Sequence, residues 1–207
     1  DTWFSSAMWT FSTLGWPNNF VSGQKINDLA KYHPTQVLET GYEILTLWVS
    51  RMIMMSLFAL NEIPFSDVYL HGMVLDKNGK KMSKSKGNGI DPLDVIPQFG
   101  TDAVRLSLLY GTTPGNDLRL GEDKIESNRN FINKLWNISR YIITTSEEKY
   151  FTAPTSSWPE AKTVADDWIL QKLDGTIKQV DASLANYEFS AAVEALNDFT
   201  WNQLADW

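Results

Sequence analysis

Between Gln36 and Leu75 the residue pattern reads as strand, helix, strand, and no other stretch constrains the fold as much. The short apolar piece Gln36 to Leu38 continues through Glu39-Thr40 to Gly41, the profile of a buried strand closing on a tight turn. Ile44, Leu47, Trp48, Arg51, Met52, Met55 and Phe58 then recur at three-to-four spacing, which predicts a helix. Pro64 breaks it, and the β-rich run Val68 to Leu75 predicts a second strand. Two strands joined through a helix form a βαβ unit and lie parallel in one sheet. The 17 apolar-rich residues Ile44 to Leu60 carry Arg51 in their middle and are interrupted by Thr46, Ser50 and Ser56. A buried helix is therefore expected rather than a membrane span, and no membrane partner.

The rest of the chain places this unit. Residues 3–17 are rich in Trp, Phe and Ser and end at Gly15-Trp16-Pro17, and Asn18 to Pro34 reads as a polar surface excursion. Asp76-Lys77-Asn78-Gly79 is a turn signal. Asp91-Pro92 starts a helix with a cap and a first-turn proline, Gly100 ends it, and Asp102 opens another through Leu109. Gly111 to Leu120 reads as loop or edge strand. From Glu122 the pattern is helical, with Phe131, Leu135, Ile138 and Ile142 as one stripe. A polar connector at 146–163 precedes two helices with stripes Ile169, Leu173, Ile177, Val180, Leu184 and Phe189, Val193, Leu196, Phe199. The fold class is α/β followed by all-α: half of a parallel sheet over 1–120, then an antiparallel helical bundle over 121–207. A chain of 207 residues can bury roughly 70% of its unfolded surface without a staple.

Composition narrows the chemistry. Cysteine is absent, which excludes a disulfide scaffold, a thiol nucleophile and a Cys-based zinc site. With only His33 and His71, no protein metal site is expected. The net charge of −7 argues at first against nucleic acid, but its distribution removes the objection. Residues 1–145 hold 14 acids and 14 bases, and the whole excess lies in 146–207. Within the neutral part, residues 76–86 contain five Lys and one Asp.

That basic stretch centres on Lys81-Met82-Ser83-Lys84-Ser85, continued by Lys86-Gly87-Asn88. Two lysines three apart, alternating with hydroxyls and following a strand of a nucleotide-type fold, form a cationic loop. Such a loop can close over a polyphosphate and neutralise charge growing on a leaving pyrophosphate. The string resembles the KMSKS signature of class I aminoacyl-tRNA synthetases. Its neighbours are similar to the valyl branch: Asp1-Thr2-Trp3-Phe4-Ser5-Ser6, Phe11 through Pro17, Thr40-Gly41-Tyr42, Trp48 through Met52, Leu70-His71-Gly72-Met73-Val74, and Asn128 through Trp136. The resemblance spans essentially the whole chain.

The resemblance implies the second half of a Rossmann-type sheet with a stem-contact region, then the start of an anticodon-binding helical domain. It implies a ligase that activates valine with ATP, carrying Mg²⁺ with the nucleotide, and passes the valyl group to tRNA(Val). The intact enzyme would be a cytoplasmic monomer. Lys81 and Lys84 would be catalytic, holding the β- and γ-phosphates, with Met82, Ser83 and Ser85 in the same ATP-binding loop. Gly41 and Glu43 would contact ribose and adenylate, although the family often has Asp where this chain has Glu43. His71, Gly72, Met73 and Val74 would hold adenine, and Trp3 and Ile44 would line the valine pocket. Arg119, Lys124, Arg129, Lys134 and Arg140 would supply phosphate contacts to tRNA. Trp201 and Trp207 fit a helix that the family ends in Trp. The HIGH signature and the editing domain do not occur in the sequence, so a fragment inactive by itself is expected. A non-catalytic tRNA-binding module, an isoleucyl or leucyl relative, and a structural helical protein are the alternatives.

Overall fold

The computed structural model describes residues 2–146 and 159–206, the side chain of Lys84 excepted. Most of the predicted connector, and Trp207, lie outside the described residues. The chain divides into two compact units, one of residues 1–73 with 114–116, the other of 74–113 with 117–207.

The first unit opens with two short helices, α1 (Thr2–Ala7) and α2 (Trp9–Ser12). A two-residue-per-strand hairpin, β1 (Phe20–Val21) with β2 (Gln24–Lys25), leads into α3 (Asn27–Tyr32). The βαβ unit follows: β3 (Thr35–Gly41), α4 (Ser50–Leu60) and β4 (Phe65–His71). β3 and β4 pair in parallel from Thr35↔Phe65 to Gly41↔His71, as the sequence predicts. Leu38, Val49, Met52 and Phe65 form the core, with Trp48, Ile53 and Val68 packed against it.

Three details depart from the sequence pattern. The chain enters α4 through a 3₁₀ turn, Tyr42–Ile44, and a π-helical turn, Leu45–Val49. The wider turn rotates the inward face, so Val49, Met52 and Ser56 are buried while Leu47 and Phe58, members of the predicted stripe, are exposed. This helix is long and apolar enough to cross a membrane by length and composition, yet it is the crossover of a βαβ unit, and it is far less buried than the sequence predicts. Second, the excursion Asn18 to Pro34 is not all surface: Leu29 and His33 are fully buried. Third, the predicted strand Val68 to Leu75 stops at His71. Its partner β3 ends at Gly41, opposite His71, so no further ladder bonds are available there.

His33 is held in a polar cluster beneath Phe11, whose ring stands edge-on to it at 6.4 Å. Its Nε2 lies 3.1 Å from Ser56 Oγ and its Nδ1 3.3 Å from Glu62 Oε2. Ser56 Oγ donates to Glu62 O at 2.7 Å, and Lys25 Nζ donates to His33 O at 2.6 Å and to the Glu62 carboxylate. Burial lowers the His33 pKa below its ordinary 6.5, opposed in part by Glu62. The unfolded chain therefore takes up this proton before the folded one does, and stability present above pH 6.5 is lost as pH falls below it. The urea midpoint of this unit is expected to drop between pH 7.5 and 5.5. In His33→Gln the drop should shrink, and an unchanged slope would remove His33 as its source.

The second unit begins with β5 (Val74–Leu75), followed by α5 (Pro92–Phe99), α6 (Thr101–Leu109) and β6 (Leu118–Arg119). β5 and β6 pair in parallel, so Gly111 to Leu120 does contain an edge strand. Asp91 caps α5 by accepting from Leu93 N–H at 2.9 Å, and Gly100 separates α5 from α6 at φ +88°, a region suited to glycine. Val95, Ala103, Val104, Leu120 and Ile125 make the core here.

The long helix α7 (Glu122–Thr145) packs on α6, where Asn128 Nδ2 donates to Ser107 Oγ at 3.1 Å. Its burial is concentrated at Ile125, Asn128 and Phe131. Leu135 and Ile142 are exposed, so the predicted stripe is covered only near α6. Two packed helices complete the unit, α8 (Val164–Ala185) and α9 (Phe189–Asp198), the latter continued by a π-helical turn, Phe199–Leu204. Thr163 and Asp166 form a capping box at the start of α8. In the predicted stripes Val193 and Phe199 are buried, whereas Ile177, Leu184 and Leu196 keep a little under half of their surface exposed.

Candidate functional site

The residues singled out by sequence fall in both units, and each group has its own geometry. In the first unit Gly41 and His71 stand opposite each other at the carboxyl ends of β3 and β4, where open α/β sheets bind ligands. A Cβ at Gly41 would stand 2.5 Å from Glu43 Oε2, the far end of an exposed side chain. Glycine lets that carboxylate fold back over the strand end. Glu43 sits in the 3₁₀ turn beyond it and is exposed.

His71 Nε2 lies 3.3 Å from Glu39 Oε1, and its Nδ1 is 2.8 Å from Gly72 O. This half-exposed imidazole is oriented by its own strand pair rather than packed in the core. Burial first, and the Glu39 carboxylate second, raise the pKa of the neighbouring Tyr69 phenol. Trp3, on α1, receives the Arg51 guanidinium 5.2 Å from its ring centroid, a cation–π contact between α1 and α4. Ile44 is half-buried at the end of the 3₁₀ turn. Trp9, on α2, and Trp48, in the π-helical turn, approach at 6.4 Å between ring centroids.

In the second unit the predicted turn Asp76–Gly79 is present, with Gly79 N–H donating to Asp76 O at 2.9 Å. Lys81 bridges Leu75 in antiparallel fashion, so the chain doubles back on β5 before the loop. Met82 turns inward onto the core beside Ile90, Ile96 and Phe99. Lys81 and Ser85 point outward, Ser83 Oγ lies 3.2 Å from Ser85 Oγ, and Lys84–Lys86 make a 3₁₀ turn. An apolar anchor thus separates the two predicted catalytic lysines in sequence. Val74 enters β5, and Gly72 and Met73 precede it.

Two residues that the sequence marked only as turn and loop positions bind this loop. Asp76 accepts from the N–H groups of Asn78 and Lys80, both at 2.9 Å, and from Asn88 Nδ2 at 2.8 Å. Those donors, Lys80 N–H foremost, hold its carboxyl pKa below the usual range. Asn88 also donates to Lys81 O at 3.2 Å and accepts from Ser83 N–H at 3.0 Å. The signal available in sequence was an Asp directly after a strand and an Asn two residues after the last lysine of the run.

The five predicted tRNA contacts are less uniform than their charge suggests. Lys124 Nζ donates to Tyr110 O at 2.7 Å, and burial lowers its pKa. Arg129 pairs with Glu126 at 3.0 Å and lies 5.7 Å from the Phe99 ring centroid. Lys134 stands 3.9 Å from Asp206 and 4.8 Å from the Trp201 ring centroid. Arg119 lies against Gly79, where a Cβ would be 3.2 Å from its Nε, and Arg140 is exposed on α7. Three of the five therefore hold intramolecular positions.

Comparison with known proteins decides the family. The description tRNA synthetases class I (I, L, M and V) matches residues 1–121. The chain belongs to the class I tRNA synthetases. A second description, anticodon-binding domain of tRNA ligase, matches residues 166–207. Among curated synthetases, the valine–tRNA ligase of Clostridium tetani is 47% identical over 209 residues, covering all of this chain and 23% of that protein. That of Bacillus anthracis is 48% identical over 208 residues, again the whole chain and 23% of the relative. The chain thus spans about a quarter of the length of the curated synthetases it matches.

Solved synthetases share the fold. A LeuRS from Agrobacterium radiobacter K84, crystallised with tRNA and LeuAMS, superposes with a TM-score of 0.81 at 26% identity, covering 97% of this chain and 26% of that one. The methionyl-tRNA synthetase of Mycobacterium tuberculosis bound by methionyl-adenylate gives 0.67 at 23% identity, covering 90% and 35%.

Proposed function

We propose that this segment supplies the lysine-loop part of the aminoacyl-adenylate site, and the start of the anticodon-binding domain, of a valine–tRNA ligase. The observation that carries the reading is the combination of the Lys81–Ser85 loop with 47% identity to a valine–tRNA ligase along the full chain. In this reading the carboxylate of valine attacks the α-phosphate of ATP and pyrophosphate leaves. The valyl group then passes from the adenylate to the 3′ end of tRNA(Val), releasing AMP. Lys81 and Lys84 bind the β- and γ-phosphates, where negative charge accumulates as the bond to the α-phosphate breaks. Ser83 and Ser85 offer hydroxyls to the same phosphates, and Mg²⁺ enters on the nucleotide.

Glu43, beside the bare Cα of Gly41, accepts from the ribose hydroxyls. His71, Gly72, Met73 and Val74 face adenine. Trp3 and Ile44 line the valine pocket, with Arg51 steadying the Trp3 ring. Such an apolar pocket rejects threonine poorly, a limit for which the valyl enzymes are themselves the known example. Arg119 and Arg140 are the better placed of the basic residues for tRNA phosphates, since the other three already have partners within the protein. A domain division near residue 120 is supported by the extents of the two family matches. The complete protein is, in this reading, a cytoplasmic monomer.

The test is amino-acid-dependent ATP–pyrophosphate exchange by a full-length ligase carrying this segment. Valine is expected to give the highest kcat/KM among valine, isoleucine, leucine and methionine. Isoleucine or leucine ahead of valine would overturn the specificity, and no exchange with any of the four would overturn the activity.

A further inference from the structure

The loop has a root and a tip that differ in how they are held. At the root, Asp76 uses both carboxylate oxygens: Oδ1 accepts from Asn78 N–H and Lys80 N–H at 2.9 Å each, and Oδ2 accepts from Asn88 Nδ2 at 2.8 Å. Asn88 uses its whole amide. The same Nδ2 donates to Lys81 O at 3.2 Å, and Oδ1 accepts from Ser83 N–H at 3.0 Å. Asp76 N–H also donates to Lys80 O at 2.8 Å, and Lys81 bridges β5 at Leu75. Met82, between the two backbone groups that Asn88 holds, is fixed on the apolar core. The backbone on either side of the Lys81 side chain is thus tied to a strand, a carboxylate, an amide and a packed methionine. At the tip, over Lys84 to Gly87, the structure shows the Lys86 N–H to Ser83 O bond at 3.2 Å and the Ser83–Ser85 hydroxyl contact. A Cβ built on Gly87 would meet nothing within 4 Å.

We infer that Asp76 and Asn88 are positioning residues that fix the Lys81 backbone before ATP arrives. Lys81 then meets the nucleotide from a preset place. The inference rests on reading the loop as the polyphosphate contact. Presetting a charged donor spares its reorganisation at the moment the leaving group becomes anionic, so its loss falls on the chemical step rather than on ATP binding.

The chemistry of the pair supplies a specific test in a full-length ligase carrying this segment. Asn88→Asp sets two carboxylates against each other. Asp76→Asn sets an amide N–H₂ against another if its oxygen keeps the Asn78 and Lys80 donors. The double variant D76N/N88D restores the bond in the reverse direction and keeps the Ser83 N–H acceptor, but it turns the bond to Lys81 O into a contact between two acceptors. For Asn88→Ala, Asn88→Asp and Asp76→Asn, kcat of valine-dependent ATP–pyrophosphate exchange is expected to fall about 10- to 100-fold, with the KM for ATP within about threefold of the parent. The double variant is expected to recover at least half of the loss on a logarithmic scale. Amide exchange at Ser83 should quicken in the single variants while the thermal midpoint holds.

Wild-type kcat in Asn88→Asp, a change in KM alone, or a double variant worse than both singles would overturn the inference. If Asn88→Asp does not fold, Asn88→Ala and the double variant carry the same comparison. Lys81→Ala run in parallel separates the two readings. If it too leaves exchange intact, the loop assignment itself fails; if it abolishes exchange and the Asp76 and Asn88 variants do not, only the positioning role fails.

Discussion

Replacing Lys81 and Lys84 together by alanine in a full-length ligase carrying this segment is expected to abolish most valine-dependent ATP–pyrophosphate exchange. Removing one preorganised donor to a developing anion typically lowers kcat by about 10²–10³, so each single variant should fall in that range. The double variant should fall further, but by less than the product, because the two ammonium groups serve one leaving group. The loss belongs in kcat, since charge on pyrophosphate is greater in the transition state than in bound ATP. Lys→Arg at either position keeps the charge but changes a compact ammonium into a planar fork, and partial activity is expected. Exchange within threefold of the parent in both single variants would refute the assignment. A matching rise in the KM for ATP, with kcat unchanged, would make the lysines binding residues and nothing more.

The second large effect concerns the floor on which the loop stands. Ile125 is completely buried against Val95, Ala103, Val104 and Leu120, and Met82 packs on the same cluster. Truncating Ile125 to alanine removes buried methylenes and leaves a cavity in a core that relaxes only partly, at about 2–5 kcal/mol. That is a large share of the roughly 5–15 kcal/mol that holds a typical domain together. Leu93, on α5 and 76% exposed, is the control: its truncation should stay within about 0.5 kcal/mol. Urea denaturation followed by tryptophan fluorescence measures both. A loss below 1 kcal/mol for Ile125→Ala would show that the cluster closes over the gap, and Met82 would then need another account of its seat.

Most of the α/β part was legible because its signals are local. The alternation into Gly41, the helical spacing after it and the Pro64 break are read within a dozen residues, and parallel pairing follows from the connection alone. The turn at Asp76–Gly79 and the Asp91 cap were legible for the same reason, each being a property of a few neighbours. What escaped was set at a distance. The run Val68 to Leu75 is interrupted at Gly72, but that one residue does not tell that β4 pairs with β3 and β5 with β6 on either side of it. His33 reads as polar surface until Ser56 and Glu62, remote in sequence, come to meet it. The stripe on α7 was read evenly along the helix, whereas α6 covers only the portion near Asn128.

The candidate site divides in the same way. The string Lys81–Ser85 announces itself, but Asp76 and Asn88 have no chemistry in isolation. Their role appears only when the turn brings them to 2.8 Å. The basic residues of α7 show the converse: charge was legible, and so was the Glu126 neighbour of Arg129 one turn away, but the remote partners that occupy Lys124 and Lys134 were not.

The π-helical turn at Leu45–Val49 bears on how the chain can vary in length. Such a turn is an α-helix that has absorbed one additional residue without disturbing what lies before or after it. Deleting a single residue there would let the segment relax to ordinary helical winding, with Gly41 and Glu43 still at the strand end and Met52 and Ser56 still facing inward. This stretch is therefore a natural place for a one-residue gap between otherwise alignable chains. A residue-by-residue transfer that runs through it ungapped would assign the neighbouring side chain, about 100° around the helix, to each position beyond.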